Sequence, residues 1–131
     1  MNRNGSRHGV SAYRLMIVDD SNIVRKRIER TQEIPDIDVV GTARNGREAL
    51  ELHARAKPNL VTMDLTMPEM DGIECVRRLV ERDPLIRILV ISALADKATA
   101  IEALETGASG FLCKPFTERQ LNDALAKLIE V

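Results

Sequence analysis

The sequence predicts an α/β domain, a five-stranded parallel sheet with helices packed on its faces. Three observations lead there. Five short apolar runs recur along the chain, each followed by a stretch of helical periodicity. Four of the five runs are nearly continuous in apolar residues, the pattern of strands covered on both faces. Strand and helix alternate throughout, and right-handed crossovers then lay successive strands parallel in one sheet.

Taken in order, residues Met1 to Tyr13 are rich in Asn, Gly, Ser and Arg without an apolar period, and are expected to be a flexible leader. One domain is expected from Arg14 to Val131. Leu15 to Val18 is the first strand. The first helix carries a basic run, Arg25, Lys26, Arg27 and Arg30, expected to be a solvated face before a partner contact. The second run, Ile37 to Val40, contains Asp38 and fits an edge strand. Gly46 lies at the start of the second helix, where His53 shares a face with Ala49, Leu52 and Ala56 and is expected to be structural rather than a phospho-carrier.

Leu60 to Met63 is the third strand. Asp71 with Glu74 is a capping-box pair opening the third helix, whose inner face is Ile73, Val76 and Val80; Pro84 closes it. Ile88 to Ile91 is the fourth strand. On the fourth helix Ile101 and Leu104 are expected in the core, with Ala98, Ala100 and Ala103 giving an adaptable outer side. Phe111 to Cys113 is the fifth strand. Thr117 with Gln120 opens the fifth helix, and Leu121, Ala124, Leu125 and Leu128 line its inner face.

Composition narrows the function classes. The 131 residues carry a net charge of -1 and a pI of about 6.1, which suits neither nucleic acid nor an anionic membrane as main partner. No apolar stretch is long enough to span a bilayer, and a secretory signal is missing, so a cytoplasmic location is expected. Cys75 and Cys113 are expected to be reduced, half-buried thiols. With two histidines, one of them in the leader, a zinc site is not expected.

Ligands of an open parallel sheet bind beyond the carboxyl ends of its strands. The residues there are Asp19 and Asp20 after the first strand, Asp64 at the end of the third, Ser92 after the fourth, and Lys114 with Pro115 after the fifth. Three carboxylates in one cleft repel: two unit charges at about 4 Å cost on the order of 4 kcal/mol at an effective dielectric near 20. Lys114 offsets only part of this. An all-oxygen donor set with room for water suits Mg²⁺, or Mn²⁺ in its place, and Mg²⁺ recruits phosphate oxygens. A carboxylate nucleophile, a metal, an ammonium and a hydroxyl are the equipment for forming an aspartyl phosphate.

The segments Ile17-Val18-Asp19-Asp20-Ser21, Met63-Asp64-Leu65-Thr66-Met67-Pro68-Glu69-Met70-Asp71-Gly72 and Lys114-Pro115-Phe116 resemble the hallmarks of response-regulator receiver domains, most of all the single-domain chemotaxis regulators of the CheY kind. The resemblance implies a flavodoxin-like, doubly wound sheet of order 2-1-3-4-5 with five helices; that order is a known property of the family, carried over rather than obtained from spacing. It implies Asp64 as phosphoacceptor and Mg²⁺ held by Asp20, Asp64 and the backbone carbonyl of Thr66, with Asp19 assisting. It further implies Lys114 and Ser92 on the phosphoryl oxygens, and Ser92 and Phe111 as the moving pair of the switch. A cis Lys114–Pro115 bond is also implied. Thr66 and Leu94 stand where fast-cycling relatives carry groups that orient the hydrolytic water.

The expected function is thus a phosphorylation switch rather than an enzyme proper, one that assists its own phosphotransfer and dephosphorylation. Its expected partners are a sensor histidine kinase, a downstream target protein on the fourth helix, fifth strand and fifth helix, and a phosphatase, with the chain a monomer or weak dimer. A phosphorelay intermediate and a receiver cut from a longer DNA-binding regulator are the alternatives. Two other classes fit less well. An aspartate-nucleophile phosphatase usually has a second Asp two residues after the first, where Thr66 stands here. A flavodoxin-like cofactor binder needs a phosphate cradle where Asp19 and Asp20 would repel the phosphate.

Overall fold

A computed structural model describes residues 12–67, 70–93 and 96–129. The elements run β1 (Tyr13–Val18), α1 (Asn22–Thr31), β2 (Ile37–Ala43), α2 (Gly46–Ala56), β3 (Leu60–Asp64), α3 (Gly72–Arg82), β4 (Arg87–Ala93), α4 (Lys97–Thr106), β5 (Gly110–Lys114) and α5 (Glu118–Ile129). All four strand pairings are parallel, in the order β2-β1-β3-β4-β5, as the resemblance implied. The flexible leader expected over Met1 to Tyr13 lies outside the described residues except for Ala12 and Tyr13.

Alternation along the strands splits the core into two layers. Met16, Val18, Val61, Met63, Ile88 and Val90 face α2, α3 and α4. Leu15, Ile17, Leu60, Leu89 and Ile91 face α1 and α5. The helix starts follow their caps. Thr117 and Gln120 bond reciprocally, at 2.9 and 3.0 Å, in a complete capping box. Asp71 accepts from the Glu74 N–H at 2.9 Å, while the Glu74 carboxylate turns outward to Arg77 and Arg78.

Four expectations need correcting. Tyr13 belongs to β1, not to the leader: its N–H donates to Asp36 O (3.0 Å), its hydroxyl to Ile129 O (3.2 Å), and Arg87 stacks 5.5 Å from its ring centre. β5, read as covered on both faces, has no fully buried residue, and Phe111 on it is 39% exposed. The faces of α4 are exchanged. Ala100 and Ala103 are buried, whereas Ile101 and Leu104 are 56% and 39% exposed. Small residues let α4 approach its neighbours closely, and Gly107 just past its end is so near α3 that a Cβ would lie 3.0 Å from Val80. Cys75 is fully rather than half buried, which pushes its thiol up to about 12; Cys113 is half-buried, and both are free thiols. Among the described residues no helix is long and apolar enough to cross a membrane.

Candidate phosphoryl-acceptor site

The carboxyl ends of β1, β3, β4 and β5 bring the expected residues to one rim. Asp19 follows β1 and is 1% exposed; its N–H donates to Ala43 O (3.1 Å), and its Oδ1 accepts from the Ser21 N–H at 2.8 Å, just where Ser21 caps α1. Asp20 is exposed at the mouth. Asp64 ends β3, is 4% exposed, and its Oδ1 accepts from the Thr66 N–H at 3.1 Å. One ligand oxygen from each of Asp19, Asp20 and Asp64 lies within 4.8 Å of the others.

Lys114 ends β5 and reaches over the pair, with Nζ 3.2 Å from Asp19 Oδ2 and 3.7 Å from Asp64 Oδ1. The first contact is an ion pair without hydrogen-bond alignment, because Asp19 Oδ2 is buried and lacks a hydrogen-bond partner. Burial pushes the Asp64 carboxyl up to about 6; the Asp19 charge adds to this, the Thr66 N–H and Lys114 pull it down, and the Asp20 charge raises it least. The cleft therefore holds more negative charge than its one ammonium offsets, and the buried Asp19 Oδ2, though ion-paired with Lys114, has no hydrogen bond. Both features fit a divalent cation with oxygen ligands.

Ser92 on β4 is 3% exposed, and among the described residues its hydroxyl makes one long 3.4 Å contact, to Ala93 O, which holds it weakly. It sits opposite Cys113 in the β4–β5 register, two positions along from the pair Val90–Phe111. Thr66 is exposed. Leu94 lies outside the described residues. The Lys114–Pro115 bond is cis. His53 is partly buried on α2, away from this rim, and burial together with Arg82 lowers its pKa.

Two arginines of α1, expected on a solvated face, instead bond backbone carbonyls next to the site residues Asp19 and Lys114. The Arg25 guanidinium donates to Asp19 O at 2.7 Å. The Arg27 guanidinium donates to Phe116 O at 2.6 Å and lies 4.9 Å from the Phe116 ring centre. The sequence did carry a signal for the second: Val24, Arg27, Ile28 and Thr31 form an i, i+3, i+4, i+7 stripe, the inward side of α1.

A family model described as the response regulator receiver domain matches residues 15–126. The chemotaxis protein CheY of Thermotoga maritima is 41% identical over 115 residues, 88% of this chain and 96% of that protein. The chemotaxis protein CheY of Bacillus subtilis is 37% identical over 118 residues, 90% of this chain and 98% of that protein. Among solved structures, a CheX-CheY-BeF3-Mg complex from Borrelia burgdorferi superposes with a TM-score of 0.85 at 28% identity, covering 92% of each chain.

Proposed function

The chain belongs to the response-regulator receiver family of two-component signalling, and we propose that Asp64 is the residue that takes the phosphoryl group. The observation that carries this is the Asp64 carboxylate itself: it ends a buried strand, its pKa is pushed up to about 6, and it lies within ion-pair reach of Lys114 and within 4.8 Å of two further carboxylates.

Near neutral pH Asp64 is mainly ionised yet basic for a carboxylate, which favours it as a nucleophile. One of its oxygens attacks the phosphorus of a histidine kinase's phosphohistidine. The O–P bond forms, the P–N bond breaks, and the imidazole takes the electron pair as the leaving group. Lys114 neutralises charge gathering on the equatorial oxygens, and the Ser92 hydroxyl donates to one of them. Receiver domains bind Mg²⁺ at an acidic pocket. Here Asp20, Asp64 and the Thr66 carbonyl would hold the ion, with Asp19 assisting, and bound there it supplies charge neutralisation and orientation of the phosphoryl oxygens. Asp19 accepts from the Ser21 N–H at the start of α1 and offsets part of the Lys114 charge.

The output reading is chemotaxis-like: Ile101, Leu104 and Phe111 are exposed apolar groups on α4 and β5, suited to a downstream target protein. Phosphorelay and DNA-binding readings are not favoured, since the two chemotaxis relatives match over 96% and 98% of their own length. The same pocket is proposed to assist loss of the phosphoryl group, unaided or with a phosphatase. The experiment is incubation with acetyl phosphate: Mg²⁺-dependent uptake of a base-labile phosphoryl group supports the function, and no uptake at any Mg²⁺ concentration overturns it.

A further inference from the structure

We infer that Arg27, on α1, is a positioning residue for phosphoryl transfer: it pins the loop after β5 and so holds Lys114 against the acceptor. The inference rests on Asp64 being that acceptor. Lysine is a point charge on a stem of four rotatable bonds, so its placement depends on what fixes its backbone. The Lys114 side chain is 30% exposed, and its contact with Asp19 lacks hydrogen-bond alignment. β5 is an edge strand, paired on one side only. The next residue, Pro115, has no N–H to donate.

The first firm anchors beyond Lys114 are therefore Phe116 and Thr117. Thr117 is held by its box with Gln120. Phe116 is 4% exposed in the core layer, and Arg27 holds its carbonyl at 2.6 Å while lying 4.9 Å from its ring centre. A charge-assisted bond of this kind is about twice as strong as a neutral one. Arg27 precedes Ile28, which is fully buried, so the clamp is built on a rigid part of α1. The bland alternative is a staple between α1 and the start of α5 that never touches Lys114's geometry.

The two differ in a double-mutant cycle with acetyl phosphate as donor, which removes any effect on kinase docking. Arg27→Met, which keeps packing on Phe116, should slow acceptance by about tenfold with Lys114 present. In the Lys114→Ala background it should slow it by less than about twofold. Mg²⁺ affinity by calorimetry should be unchanged in Arg27→Met, because Arg27 bonds the Phe116 carbonyl and none of the three carboxylates. Lys26→Met, an exposed neighbour carrying the same charge, should accept at the wild-type rate. Equal slowing with and without Lys114, equal slowing by Lys26→Met, or a wild-type rate in Arg27→Met each overturns the inference. Should Arg27→Met fail to fold, Arg27→Lys carries the test, since it keeps the charge and loses the planar donor. It should be slow only when Lys114 is present, and a wild-type rate or slowing independent of Lys114 overturns the inference. Undiminished labelling of Asp64→Asn is a separate result: it removes the acceptor assignment itself.

Discussion

Gly72, the first residue of α3, is pressed against the backbone of Asp64: a Cβ there would lie 2.5 Å from the Asp64 carbonyl oxygen and 2.5 Å from the Leu65 Cα. The Gly72 N–H also donates to Leu65 O at 3.1 Å. The acceptor's main chain and the start of α3 are thus one packed unit, and backbone cannot move aside as a side-chain tip can. Gly72→Ala should cost about 1–3 kcal/mol of stability, read by chemical denaturation, and should slow phosphoryl acceptance as well. An unchanged denaturation midpoint would show that the contact yields freely.

The raised Asp64 pKa sets a pH dependence. In the fold the group titrates near 6, against an ordinary value of 3.8, so the native state binds this proton more tightly than the unfolded chain does. Its favourable contribution is complete below the ordinary value and is lost as pH rises through about 6. Without metal, Asp64→Asn should therefore be more heat-stable than wild type near neutral pH, with the gain shrinking toward about pH 4. A difference in melting temperature that does not vary with pH would contradict this.

Mg²⁺ should reverse that strain. Bound at a hundred times its Kd, a ligand adds about 2.7 kcal/mol to the native state. Wild type should gain thermal stability with Mg²⁺, whereas Asp20→Ala should start no less stable and gain little. An equal Mg²⁺-induced shift in both proteins would remove Asp20 from the metal site.

Much of this was legible beforehand because buried parallel strands leave nearly continuous apolar runs, and the polar residue ending each run falls on the ligand-binding rim. Asp19, Asp20, Asp64, Ser92 and Lys114 were found that way. What was not legible depends on the neighbours of an element. Phe111 to Cys113 reads as apolar whether or not helices cover both of its faces. Ala100 with Ala103 and Ile101 with Leu104 are both i, i+3 pairs, so periodicity alone does not choose between them, and size points the wrong way when a helix packs closely. Arg25 and Arg27 look like solvated charges until Asp19 O, in the loop before α1, and Phe116 O, in the loop after β5, are placed beside them.

The switch makes its own prediction. Phe111 is 39% exposed, and the nearby Ser92 hydroxyl is only weakly held. Beryllofluoride with Mg²⁺ should draw Ser92 toward Asp64 and leave room for Phe111 to turn inward. A structure of that complex should show Phe111 more buried and in a different rotamer. The same rotamer in both states would count against the coupling.

The central claim is tested most directly by peptide mapping with mass spectrometry after incubation with acetyl phosphate and Mg²⁺. One phosphoryl group should appear on the wild-type peptide that carries Asp64, should be lost on brief treatment with base, and should be missing from Asp64→Asn. A phosphoryl group found on another residue of the wild-type protein, or equal labelling of Asp64→Asn, would contradict the assignment of Asp64 as acceptor.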